Sequence, residues 1–416
     1  MHSGRTFGGG GTGRQLVWAL VLGVAVPTMS QAASGDKRIA ALVIPMDKGA
    51  EQLTLRLEGY LDDALREFEG FRLKTSDDLF GVAPDEDGAA ALKRADQGFL
   101  EGKAAYDGRD YEGAEKKLRA SLKEYEHAVG AMKGCGNLCD AVTMYASALQ
   151  ARGDVEEAKL VLLDLLALAP NSELDRQRYP PSFAALKALV ASSRNAQLRG
   201  NINVKSQPPG ARVYLNGAFH CFSPCTLSTL PIGKHLVRIE RPGFRQVGHM
   251  VEVTPEDQEV DAELVATAGY KAFDGLLDKV ASEALKNRGG SAMGSIASSL
   301  KLDRALIGVV RQTDVKTELV LGYFDLKEGR RYATKRASFE GDEFGELRGE
   351  IGRMVNALLD FDASEKASRT GDPLAGRNGT EDWNAEDKGG RNRSREKKSK
   401  KKGGDPLDSV PATEDW

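Results

Sequence analysis

Residues 201–265 read NINVKSQPPGARVYLNGAFHCFSPCTLSTLPIGKHLVRIERPGFRQVGHMVEVTPEDQEVDAELV, and their period decides the architecture at the middle of the chain. Apolar side chains recur every second position. Ile202 with Val204, Val237 with Ile239, and Val260 with Ala262 and Leu264 each share one face of an extended strand. Asn216-Gly217 supplies the two positive φ angles of a type I′ hairpin, and Arg241-Pro242-Gly243-Phe244 suits a type II turn with glycine where φ must be positive. The expectation is about 65 residues of antiparallel strands.

The order of the turn residues is more specific than the period. Pro208-Pro209-Gly210-Ala211, Val213-Tyr214-Leu215-Asn216-Gly217, Ser223-Pro224-Cys225-Thr226-Leu227, Leu230-Pro231-Ile232-Gly233-Lys234-His235 and Pro242-Gly243-Phe244 follow one another. This succession resembles a PEGA domain. It departs from that signature where Pro209 stands in place of glutamate, and where Cys221 and Cys225 bracket a loop that in the family is usually a glycine-containing turn. The resemblance implies a small β-sandwich of surface or envelope proteins, with no established catalytic residues to carry over.

Upstream, residues 88–200 turn helical. Ala146, Leu149, Gly153, Ala158, Leu162, Leu165 and Pro170 fall at spacings that resemble a tetratricopeptide repeat, with small residues where paired helices touch. Gly102, Tyr111, Ala114 and Leu118 match less completely. Farther out, residues 33–87 read strand-helix-strand: the run Arg38 to Pro45, then Leu53, Leu57, Tyr60, Leu61 and Leu65 at helical spacing, then Phe71 to Lys74. Residues 266–363 read as a helical stretch from Lys271 to Leu300, strands at Arg304 to Arg311, Glu318 to Leu326 and Arg331 to Phe339, and a helix from Glu343 to Leu359. The two outer segments together resemble TolB amino-terminal or CsgG-like α/β domains, and a lone strand-helix-strand buries little by itself. One discontinuous α/β body is therefore expected, with the helical and sandwich segments inserted in it, in an α+β multidomain chain.

Residues 1–32 have the form of a secretory signal peptide, with Arg5 and Arg14 ahead of an apolar run from Leu16 to Val26 and small residues at Ser30 and Ala32. That run is shorter than the roughly 20 residues a spanning helix needs, so no transmembrane segment is expected in the mature chain. Removing both arginines shifts the net charge from −3 to about −5, which gives no argument for nucleic acid. Export favours disulfides, and the cysteines fall into two local pairs, Cys135 with Cys139 and Cys221 with Cys225. Zinc held by His220, Cys221, Cys225 and His235 is the alternative for the second pair.

From Ser364 to Trp416 apolar residues nearly vanish, and a disordered tail is expected. It repeats itself: Gly371 to Trp383 reads GDPLAGRNGTEDW and Gly404 to Trp416 reads GDPLDSVPATEDW. Trp383 with Glu381 and Asp382, and Trp416 with Glu414 and Asp415, are candidate docking groups, each an apolar ring beside two carboxylates. The basic run Arg391 to Lys402 could hold anionic envelope polymers loosely. No G-x-S-x-G elbow occurs, and no catalytic, metal or cofactor residue is singled out. The expectation is an exported, non-catalytic scaffold or adaptor of a bacterial envelope, in periplasm or at the surface, binding envelope proteins. Two alternatives stand beside it: a periplasmic small-molecule receptor or enzyme using the α/β body, and a glycan- or peptidoglycan-binding protein acting through the PEGA-like segment.

Overall fold

A computed structural model describes residues 37–193, 198–286, 289–313, 316–340 and 344–370. Residues 1–32, expected to be a signal peptide, and the repeated tail motifs lie outside the described residues. The chain begins with β1 (Lys37–Pro45), α1 (Lys48–Glu51), α2 (Thr54–Leu65), β2 (Phe71–Leu73) and α3 (Ser76–Phe80). Helices α4 (Glu86–Asp107), α5 (Tyr111–Ala128), α6 (Gly136–Arg152), α7 (Val155–Leu168) and α8 (Pro181–Ser193) follow. Next come β3 (Arg199–Gln207), β4 (Arg212–Leu215), β5 (Ala218–Phe222), β6 (Cys225–Pro231), β7 (Gly233–Glu240), β8 (Val247–Val253) and β9 (Gln258–Glu263). The last segment holds α9 (Ala268–Asp274), α10 (Leu277–Leu285), α11 (Ser291–Ser299), β10 (Arg304–Gln312), β11 (Lys316–Asp325), β12 (Arg330–Glu340) and α12 (Phe344–Thr370). Among the described residues the chain is α+β, with three separate sheets and a helical layer.

Strands from both outer segments share one sheet in the order β12-β11-β10-β1-β2. β1 lies parallel to β10 over Ile39 to Pro45 and parallel to β2 over Lys37 to Ile39. Parallel central strands are covered on both faces, which explains an apolar run without alternation. Ile39, Ala41 and Val43 pack with Leu57, Leu61 and Leu65 of α2 and with Ile351 and Val355 of α12. Ala40, Leu42 and Ile44 pack on the opposite face with Val280, Met293 and Ile296. A charged clasp joins the two segments at the strand start: Asp303 accepts hydrogen bonds from the backbone N–H of Arg38 (2.9 Å) and from its Nε (3.1 Å), and pairs with Lys327 Nζ (2.7 Å). These partners, the Arg38 side chain first, hold the Asp303 carboxyl well below the usual carboxylate range.

In the helical layer Ala114, Leu118, Ala146, Leu149, Ala158, Leu162 and Leu165 are all buried. A Cβ at Gly102 would come within 2.6 Å of Leu118, so glycine there lets α4 and α5 meet. Gly153 ends α6 in the left-handed region, at φ 97°.

The β-sandwich pairs a sheet of order β6-β3-β9 with one of order β5-β4-β7-β8. Asn216 and Gly217 have φ of 50° and 93°, the hairpin geometry expected of them, and Gly243 has φ of 84°. Ile202, Val204, Val237, Ile239, Val260, Ala262 and Leu264 form its core. One pairing corrects the all-antiparallel expectation: β3 and β9 run parallel, Ile202 opposite Gln258 through Gln207 opposite Glu263. The first and last strands of the module enter and leave in the same direction, and alternation of side chains carries no information on direction.

Two further differences from expectation concern the ends of helices. The stretch from Lys271 to Leu300 is broken into α9, α10 and α11, with glycines Gly275 and Gly290 at two of the breaks. Helix α12 runs to Thr370, past the start of the expected disordered tail at Ser364. Ala363, Glu365, Lys366 and Ala367 are good helix formers, so propensity continues the helix without an apolar pattern. Among the described residues, no helix is long and apolar enough to cross a membrane.

Candidate functional site

The β-sandwich is wedged between two neighbours. Against the helical layer it closes by backbone approach: a Cβ on Gly248 would lie 2.2 Å from Gly130 N, and one on Gly217 would lie 2.6 Å from Lys133 O. Asn216 Nδ2 donates to Ala167 O (2.9 Å), Lys234 N to Asp164 (3.0 Å), and Lys234 Nζ pairs with Glu126 (2.6 Å). Leu236 and Met250 of the sandwich join the helical core. What remains open along this junction is a charged, shallow groove bearing Glu126, His127, Lys234, His249 and Glu252. Burial lowers the pKa of His249, whose Nε2 makes no hydrogen bond.

Against the α/β body the contact is close in places and leaves a space beside them. Arg212 pairs with Asp77 (2.8 Å), Gly243 N donates to Gly81 O (2.6 Å), and Ala83 N donates to Phe244 O (2.9 Å). A cleft of about 430 Å³ is left between them. Its floor is set by α2 and by the short β2: with β2 ending at Leu73, β1 has no strand neighbour on that side beyond Ile39. The exposed rung is capped by a side chain. Val43 N donates to Glu58 Oε1 (3.1 Å), and Ser76 Oγ donates to Glu58 Oε2 (2.6 Å). Burial pushes the Glu58 pKa up, against the pull of Ser76, the Val43 N–H and the nearby Arg241. One turn on, burial and then the Glu58 charge push Asp62 up to about 8, and its Oδ1 has no hydrogen-bond partner. Arg241, itself buried, donates to Pro209 O and to Thr54 Oγ1 (3.4 Å). One wall is aromatic: Phe80, Phe244, Tyr270 and Phe273 stand with ring centroids 4.7 to 5.8 Å apart.

A third surface lies along β5. β5 is the edge strand of its sheet, and Phe219 on it is 50% exposed. Phe219 meets Tyr214 (5.9 Å) and Phe222 (5.2 Å) edge to face. Arg238 stacks on Tyr214 (4.3 Å) and Arg56 lies over Phe222 (5.5 Å). The rings are thereby held in fixed orientations with cations at their margin.

Both cysteine pairs stand at disulfide distance, with Cα separations of 5.4 Å for Cys135 and Cys139 and 6.5 Å for Cys221 and Cys225. The second ties the end of β5 to the start of β6. His235 is buried and bonded to Asn216 and to Pro231 O, away from any metal role with the cysteines. No cluster able to hold a metal occurs among the described residues. Trp383, Trp416, Glu381, Asp382, Glu414, Asp415 and the run Arg391 to Lys402 lie outside them. Sequence reading missed Glu58, Ser76, Arg241 and Tyr270. Glu58 sits beside the apolar stripe of Leu57 and Leu61, where a charged residue looks like solvated surface.

Comparison with known families matches residues 199–267 to the PEGA domain. No curated protein matches the chain. The tetratricopeptide-like and TolB- or CsgG-like resemblances gain no support from these comparisons.

Proposed function

We propose that this PEGA-domain chain is an exported, non-catalytic adaptor of a bacterial envelope, in periplasm or at the surface, which holds partner proteins on the β5 edge of its sandwich. The PEGA match and the cysteine pairs are consistent with an extracytoplasmic binding protein. The observation that carries the reading is the exposed Phe219 on an edge strand, with Tyr214 and Phe222 beside it. An edge strand offers backbone hydrogen bonds to an added strand, and the rings beside it offer apolar anchors. The outer segments, 33–87 and 266–363, serve as one body that fixes the sandwich. The basic run Arg391 to Lys402 adds loose attachment to anionic polymers, and the two TEDW copies add docking points that act together through avidity.

Capture from envelope extract tests this with the mature chain, the Phe219→Ser variant, and a chain lacking residues 364–416. The adaptor reading requires discrete partners that are lost on Phe219→Ser. Identical capture by all three would end it. The cleft beside Glu58 favours a second reading, reception of a small ligand by the α/β body together with the sandwich.

A further inference from the structure

We propose that the cleft between the sandwich and the α/β sheet binds a small neutral saccharide, of one or two rings. Its position is the first reason. It opens at the carboxyl end of β1, beside Val43 and Pro45, and open α/β sheets bind ligands outside the carboxyl ends of their strands. Its volume of about 430 Å³ falls in the range of small-molecule sites.

The polar groups of the floor decide the class of ligand. Glu58 and Arg241 lie together there, so the floor carries one acid and one base. Arg241 is already engaged with Pro209 O and Thr54 Oγ1. A charged ligand on the floor would lose its hydration while Arg241 is already engaged. What stays open is acceptor capacity. Each Glu58 oxygen has a second lone pair, and Ser76 Oγ, which donates to Glu58, keeps its own. Hydroxyl groups suit those acceptors.

The aromatic wall supplies the other half of the match. Phe80 and Tyr270 are half-buried and line the cleft together with the more buried Phe244 and Phe273, against which they pack. The negative faces of such rings attract the polarised C–H groups of a sugar ring, and sugars carry C–H faces and hydroxyl rims on the same molecule. Thus the carboxylate, the hydroxyls and the rings are met by one ligand type. Lys271, Asp274 and Gln207 stand at the exposed mouth, where they stay hydrated.

Titration calorimetry on the mature full chain tests the site. The probes are glucose, maltose, N-acetylglucosamine and its β-1,4-linked dimer, with galacturonate and glutamate as charged controls. We expect saturable binding of at least one neutral sugar and none of the charged probes. Glu58→Gln should weaken it about tenfold, the loss of roughly one hydrogen bond. Phe80→Leu is the second variant should Glu58→Gln fold poorly, and should weaken binding severalfold. Phe219→Ser should leave sugar binding unchanged, which separates this site from the adaptor surface. The proposal is overturned if no neutral probe saturates at millimolar concentration, if a charged control binds as tightly, or if folded Glu58→Gln and Phe80→Leu bind as the parent does.

Discussion

The two junctions of the sandwich differ in the space they leave beside their contacts. Towards the helical layer, glycines bring backbone onto backbone and the residual groove is shallow and charged. Towards the α/β sheet there are close backbone contacts too, Gly210 against Gln52 and Gly243 to Gly81, but beside them a cleft stays open with a buried carboxyl at its floor. Both sides of the module are attached, and the second also keeps space. The consequence is that a substitution should act on stability at the first junction and on binding at the second.

Gly248→Ala should show the largest effect. The new Cβ would overlap the backbone of Val129 and Gly130, which cannot yield as a flexible side chain would, so a loss of about 3 kcal/mol or more is expected in thermal or denaturant unfolding. An unchanged midpoint would mean that the two layers are not in that contact.

Asp303→Ala tests the clasp that closes the sheet carrying the cleft. It should cost about 2 kcal/mol at neutral pH, because Arg38 loses its acceptor. Since the folded pKa is depressed, the contribution of the ionised carboxyl is present above the unfolded value of about 4 and is lost as pH falls through the folded value. The gap between variant and parent should therefore narrow in acid.

Asp62→Asn should act in the other direction. The Asp62 pKa is raised to about 8, so the parent is penalised progressively as pH rises from about 4 to about 8. The variant should gain on the order of 2 kcal/mol over the parent at pH 8, and nothing at pH 4. A constant offset across that window would show that ionisation is not the cause.

The smallest effect belongs to Gly269→Ala, on α9 beside the open cleft. No atom lies within 4 Å of the added Cβ, and alanine favours the helix. Stability should rise by about 0.5 kcal/mol or stay level, in contrast with the same change at Gly248.

The sequence made some of this legible for identifiable reasons. A run such as Arg38 to Pro45, apolar on both faces, has few uses besides a central strand, and Asn216-Gly217 has few conformations besides the one adopted. Other features depend on neighbours that periodicity does not name. Gly248 interrupts a strand, a sign of close backbone approach, yet nothing in its surroundings names α5 and the turn after it as the partner. The cleft arises because β2 stops after three residues, leaving Val43 to be capped by a carboxylate fifteen residues later. Glu58 and Arg241 come from distant parts of the chain, and only the fold brings them together.

The central claim is that the sandwich turns one side to its own chain and the β5 edge to a partner. Photo-crosslinking in intact envelopes tests it directly, with the reactive group placed at position 219 or at position 249 in the charged groove, and with both variants checked for parental melting. The account predicts discrete intermolecular adducts from position 219 and only intramolecular products from position 249. Adducts arising equally from both positions, or from 249 alone, would contradict it.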